Sequence, residues 1–162
     1  MLRCYSSEIR ISIKMMQHNI VTKQIPNNII LPNVVELLNN GHSVTLPLRG
    51  YSMRPFLEDR RDKAILKKAE TIDVGDVVLA EVAPQVYVLH RIMVINGNEI
   101  TLQGDGNLST EKCKRKDIHG IAVGFIRKGR SATDYTNGRK WRLYSAVWTW
   151  LLPIRRYLLF IH

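Results

Sequence analysis

The chain predicts a mainly β domain, with antiparallel sheets wrapped into a barrel-like body, a short helix before it and an amphipathic helix after it. Three observations carry this expectation. Short stretches alternating apolar with polar residues recur between residues 43 and 127. Tight-turn residues separate them, and helical spacing is confined to the two ends.

Residues 29–40 read as the first helix. Pro32 stands near its start, Val34, Val35, Leu37 and Leu38 recur at helical spacing, and Asn39-Asn40-Gly41 closes it. Residues 43–48 then read as a strand. The next stretch alternates about a turn at Asp73-Val74-Gly75-Asp76, which predicts strands over 63–67 and 76–82. Another strand is expected over 86–95. Asn96-Gly97-Asn98 follows it as the strongest hairpin signal in the chain, and residues 99–103 return. Residues 118–127 form the last expected strand, with Gly120, Ala122 and Gly124 at alternate positions. No internal repeat is visible.

A chain of 162 residues is long enough for one domain with its own core. The division expected is an amino-terminal extension over 1–24, a β domain over 25–130 and a basic, Trp- and Leu-rich tail over 131–162. With 45% hydrophobic and 23% charged residues, composition excludes both a disordered chain and an integral membrane protein. Lys+Arg 24 against Asp+Glu 14 gives a formal charge of +10, which favours anionic partners. Cys4 and Cys113 form neither a metal spacing nor a disulfide framework. There is no set of metal ligands and no phosphate-binding glycine loop, so no cofactor is expected.

The first 24 residues mix Arg3, Arg10 and Lys14 with Ser6, Ser7 and Ser12, and Glu8 interrupts them. They lack the unbroken apolar region of a secretory signal. A transit peptide, or translation beginning at Met15 or Met16, both fit. No apolar run approaches the roughly twenty residues of a spanning helix, so the protein is expected to be peripheral to a membrane or cytoplasmic. The tail sets three Trp among Leu, Arg142, Arg155 and Arg156, and Pro153 interrupts its apolar run. Two readings stay open: an interfacial helix in an anionic head-group layer, or a helix packed on the β domain or another copy.

The chemistry centres on Leu48-Arg49-Gly50-Tyr51-Ser52-Met53-Arg54-Pro55 and Tyr87-Val88-Leu89-His90-Arg91-Ile92, with Gly104-Asp105-Gly106-Asn107 following. A hydroxyl, an imidazole to take its proton and an acid to orient the imidazole form one chemical set. Ser52 is the candidate nucleophile. Gly50 lets the backbone turn closely, so that N–H groups, including that of Ser52, can face a developing oxyanion. His90 is the candidate base, because an imidazole titrates near neutrality. Alternation places it with Val88 and Ile92, opposite Tyr87 and Leu89. Asp105 is a candidate orienting acid and equally a candidate turn cap. His42 and His119 match no pattern and are expected at the surface.

From about residue 44 to 125 the chain resembles the signal peptidase and LexA-type repressor superfamily of serine peptidases. Ser52-Met53-x-Pro55 resembles the nucleophile box, and Gly75-Asp76-Val77-Val78 resembles the strand entry of that family. His90-Arg91 followed by Gly104-Asp105-x-Asn107 is similar to the histidine-using branch found in archaeal and endoplasmic-reticulum signal peptidases. The bacterial enzymes and the repressors carry lysine there. The resemblance implies a serine endopeptidase without cofactor, with Ser52 as nucleophile and His90 as base. It also implies a second acid after the G-D-x-N element, best matched by Glu111, with Asp117 the alternative. Substrates would be extended peptides or preproteins with small side chains ahead of the cleaved bond.

Two departures stand out. Gly50 replaces the hydroxyl residue that signal peptidases often use toward the oxyanion, and no apolar anchor helix precedes Ser52. A self-cleaving repressor is disfavoured by His90, by the absence of an Ala-Gly or Cys-Gly bond in residues 1–51, and by the little room left for a DNA-binding domain. The remaining alternative is a non-enzymatic basic module that binds a membrane surface or nucleic acid. No RNP-like or zinc-finger pattern supports nucleic acid.

Overall fold

In the computed structural model, residues 8–12, 22–130 and 132–151 are described. Cys4, Pro153, Arg155 and Arg156 lie outside them, as does most of the amino-terminal extension. Within that extension, β1 (Glu8–Ser12) and β2 (Thr22–Pro26) form an antiparallel pair that the sequence pattern did not suggest.

Helix α1 (Asn27–Asn39) follows directly. It buries Ile30, Leu31, Val34 and Leu38 and leaves Leu37 exposed, so its apolar stripe is narrower than the sequence implied. Gly41 N–H donates to Leu38 O and His42 N–H to Leu37 O, which satisfies the last carbonyls of the helix.

An eight-stranded antiparallel sheet makes up the body. Its strands are β3 (Val44–Pro47), β4 (Lys63–Lys68), β5 (Val77–Ala83), β6 (Val86–Asn96), β7 (Glu99–Gln103), β8 (Glu111–Lys114), β9 (Ile118–Ile126) and β10 (Asp134–Tyr135). Neighbours run β3-β4-β9-β5-β6-β7-β8, and β10 pairs on β9. The expected barrel is therefore corrected: β3 and β8, at the two ends of the path, do not pair, and the sheet stays open. One face is covered by α1 and by Trp141 of helix α2 (Arg139–Trp150), so helices do the covering that a closing seam would do in a barrel.

Both faces of the central strands are buried. Val77 and Leu79 of β5 join a core with Leu38, Leu66, Phe125 and Trp141. Val78 and Ala80, on the opposite face, join Ile92, Ile100, Leu102 and Cys113. Strand β8 escaped the sequence reading because Cys113 is its one buried side chain. Cys113 is a free thiol, and burial, helped by Asp117, pushes it up to about 11, which makes it inert as a nucleophile.

Helix α2 packs its Trp141 and Trp148 inward. Of the two readings open for the tail, a packed helix describes residues 139–150. Its outer side still presents Leu143, Val147 and Trp150 to solvent, Trp150 at 80% exposure.

Candidate active site

The loop between β3 and β4 carries Ser52, and it is tied down at several points. Gly50, at φ +85°, makes the turn that the sequence pattern required. Its N–H donates to Asp59 Oδ1 at 2.8 Å, so that amide is committed to the loop and not to an oxyanion. Met53 and Leu57 are buried in the core beneath, and Leu57 N–H donates to Met53 O. Asp62, fully buried, receives Glu58 N–H at 3.0 Å and both Nε and Nη2 of Arg61 at 2.8 Å. Ser52 itself is half-buried, and its N–H donates to none of the described hydrogen bonds.

His90 lies in the middle of β6 at 4% exposure. Its Nδ1 is 2.9 Å from Glu111 Oε2, at the start of β8. A carboxylate oxygen only accepts, so Nδ1 carries the hydrogen and the lone pair is on Nε2. Burial pushes the imidazole below its ordinary value. The charge and hydrogen bond of Glu111 and the charge of Asp105 oppose this, and burial prevails. The ring is thus neutral at neutral pH, as a proton acceptor must be.

The Gly104–Asn107 loop joins the two halves. Gly106 N–H donates to Ser52 O at 2.7 Å. A Cβ on Gly104 would stand 2.5 Å from Ser52 O and 3.0 Å from His90 Nε2, and one on Gly106 would collide with Tyr51 O. Both glycines are therefore needed for close approach, and they bring the serine loop beside the free nitrogen of His90. The contacts that join them run through main chain; no hydrogen bond between Ser52 Oγ and His90 Nε2 is present among the described residues.

Asp105 does not reach His90. It is 1% exposed and holds Arg91 by a two-pronged bridge, Nε to Oδ1 at 2.9 Å and Nη2 to Oδ2 at 2.7 Å. The reason is alternation: adjacent strand residues face opposite sides, so Arg91 points to the α2 side while His90 points to Glu111. Asp117 is also placed elsewhere, accepting Lys114 N–H in a short 3-10 turn (Arg115–Asp117). His42 is exposed, whereas His119 is partly buried beside Tyr87 and 3.7 Å from Glu81.

Arg91 is the residue the sequence reading passed over. Besides Asp105 it donates Nη1 to Gly75 O and to Ser145 Oγ, each at 2.8 Å. Gly75 N–H in turn donates to Ile92 O, and Ile92 N–H to Asp76 O. The Gly75-Asp76 element therefore clamps β6 immediately after His90. The available signal was a charged residue inside an apolar strand with an aspartate downstream. Asp59 and Asp62 were hidden among Glu58-Asp59-Arg60-Arg61-Asp62, where all five residues look like surface charge.

A cleft of about 910 Å³ lies between the Asp73–Val77 turn and α2, bordered by Asp76, Arg142, Ser145 and Trp150, and it includes none of Ser52, His90 and Glu111. No group of three or more potential metal-ligating side chains occurs among the described residues. No protein-family model matches this chain, and no curated protein matches it either.

Proposed function

We propose that the protein is a serine endopeptidase with Ser52 as nucleophile, His90 as general base and Glu111 as the acid that orients His90. Ser52 Oγ adds to the carbonyl carbon of an extended peptide while its proton passes to His90 Nε2. That proton then goes to the departing amine, and water releases the acyl group by the same route in reverse. One observation carries this reading: the Glu111–His90 bond fixes Nδ1 as the protonated nitrogen and leaves Nε2 open beside Gly104 and the serine loop. The resemblance of Ser52-Met53-x-Pro55 and His90-Arg91 to signal peptidases supports the same assignment.

The test is cleavage of a peptide library with small residues ahead of the scissile bond, with serine-reactive probe labelling alongside. Wild type, Ser52→Ala and His90→Ala are compared. Loss of both signals in both variants is expected. Hydrolysis by a folded Ser52→Ala protein equal to wild type would reject the proposal.

A second reading concerns where the enzyme works. Leu143, Val147 and Trp150, spaced i, i+4, i+7, face solvent on α2, and exposed Arg139, Lys140 and Arg142 accompany them with no acidic residue in the helix. Such a face suits an anionic lipid surface; no described helix is long and apolar enough to cross a membrane. Salt-sensitive sedimentation with phosphatidylglycerol vesicles, weakened in Trp150→Ala, is the expected result. Equal recovery with purely zwitterionic vesicles, or no recovery, would reject it.

A further inference from the structure

We infer that α2 is the positioning element of the candidate site and that Trp148 acts on both of its loops; this rests on the peptidase reading above. The serine loop reaches the helix through Phe56, four residues beyond Ser52. Its ring meets Trp148 edge-on, with centroids 5.4 Å apart at 87°, and Trp141 at 6.2 Å and 61°. The Gly104–Asn107 loop reaches the same indole from the other side: Trp148 Nε1–H donates to Asp105 O at 3.1 Å. One turn earlier, Ser145 Oγ accepts from Arg91 Nη1, and Arg91 holds the Asp105 carboxylate.

The geometry makes this more than core packing. Asp105 lies between Gly104, whose hydrogen faces His90 Nε2 and Ser52 O, and Gly106, whose N–H binds Ser52 O. A donor on the Asp105 carbonyl therefore sets the depth of that loop, and with it the spacing of nucleophile and base. Phe56 sets the other side of the same spacing. Trp148 is a positioning residue: it touches no reacting atom and works through Asp105 and Phe56. Reactivity is sensitive to misplacements of about 1 Å.

Trp148→Phe is the informative variant: it keeps an aromatic ring facing Phe56 and removes the N–H together with the five-membered ring that carries it. Ser145→Ala, which removes one of the acceptors of Arg91, accompanies it. The expected outcome for Trp148→Phe is a fall in kcat of about tenfold, the scale of one hydrogen bond, with KM little changed, measured well below an unfolding midpoint that the smaller ring lowers. His90 is also titrated directly by NMR, because the charged groups near it are Glu111 and Asp105, and Asp105 moves with the loop. A changed imidazole titration in Trp148→Phe is expected. Unchanged kcat with unchanged titration overturns the inference while leaving the peptidase assignment intact. If no peptide is cleaved by wild type, the peptidase reading falls, and the titration by itself still decides whether Trp148 positions the loop.

Discussion

Glu111, at the start of β8, reaches His90 on β6 past the end of β7, with 2.9 Å between Oε2 and Nδ1. Glu111→Gln removes the larger of the two charges that raise the imidazole, while burial, which lowers it, remains. On the proposed peptidase reading the acidic limb of the rate profile therefore moves to lower pH. Turnover should fall by about 10²–10⁴-fold, because the amide no longer enforces the reactive tautomer. A pH–rate profile checks both; a limb that stays in place or moves upward would reject Glu111 as the orienting acid.

Gly104→Ala and Gly106→Ala each force a methyl group against main-chain oxygen of the serine loop. Carbonyl oxygens cannot rotate aside as side-chain ends can, so the loops must separate. A destabilisation of about 1–3 kcal/mol is expected for each, on the scale of overpacking. For Gly104→Ala, activity should drop further than stability. Thermal unfolding beside turnover separates the two effects.

Breaking the Arg91–Asp105 bridge on one side leaves a charge with almost no access to water. Arg91→Met and Asp105→Leu should each cost about 3–5 kcal/mol, and the double variant less than either alone. Denaturant titration of the three proteins is the measurement. Additive losses would mean that the two side chains do not act as a pair.

Asp62 provides a pH signature. Burial works to raise its carboxyl, and the hydrogen bonds from Arg61 and Glu58 outweigh it, so the native value lies below the ordinary one. Stability from this group is complete above the unfolded carboxylate value, about 3.9, and is lost as pH falls through the lowered native value. Asp62→Asn should reduce stability at neutral pH and flatten its decline below about pH 4. An acid decline as steep as that of wild type would contradict the assignment.

Much of this molecule is legible in residues that solve local problems. Val34, Leu38 and Gly41 marked α1, although Pro32 lies inside that helix and not near its start, and Asn96-Gly97-Asn98 marked the β6–β7 hairpin. Ser52 and His90 were nominated from the residues and Glu111 from the resemblance, beside Asp105 and Asp117; of the three acids it is Glu111 that lies on His90. What stayed hidden depends on partners distant in sequence. That Asp105 belongs to Arg91 follows only when β6 and the Gly104–Asn107 loop are neighbours, because strand alternation assigns His90 and Arg91 to opposite sides without naming what waits there. The open sheet was equally unreadable, since short alternating strands suit a barrel and a helix-covered sheet alike. Asp62 escaped because a buried acid and an exposed one look the same between arginines.

The serine loop is anchored to its surroundings by main-chain atoms at Ser52 and by the side chains of its neighbours, Met53, Phe56 and Asp62. The hydroxyl has no structural task in that arrangement. Position 52 is thus a replaceable tip on a self-supporting mount, and a chain altered there alone should remain a faithful mould of the working protein. On the proposed peptidase reading, such a variant, immobilised, should bind substrate reversibly and release it uncleaved.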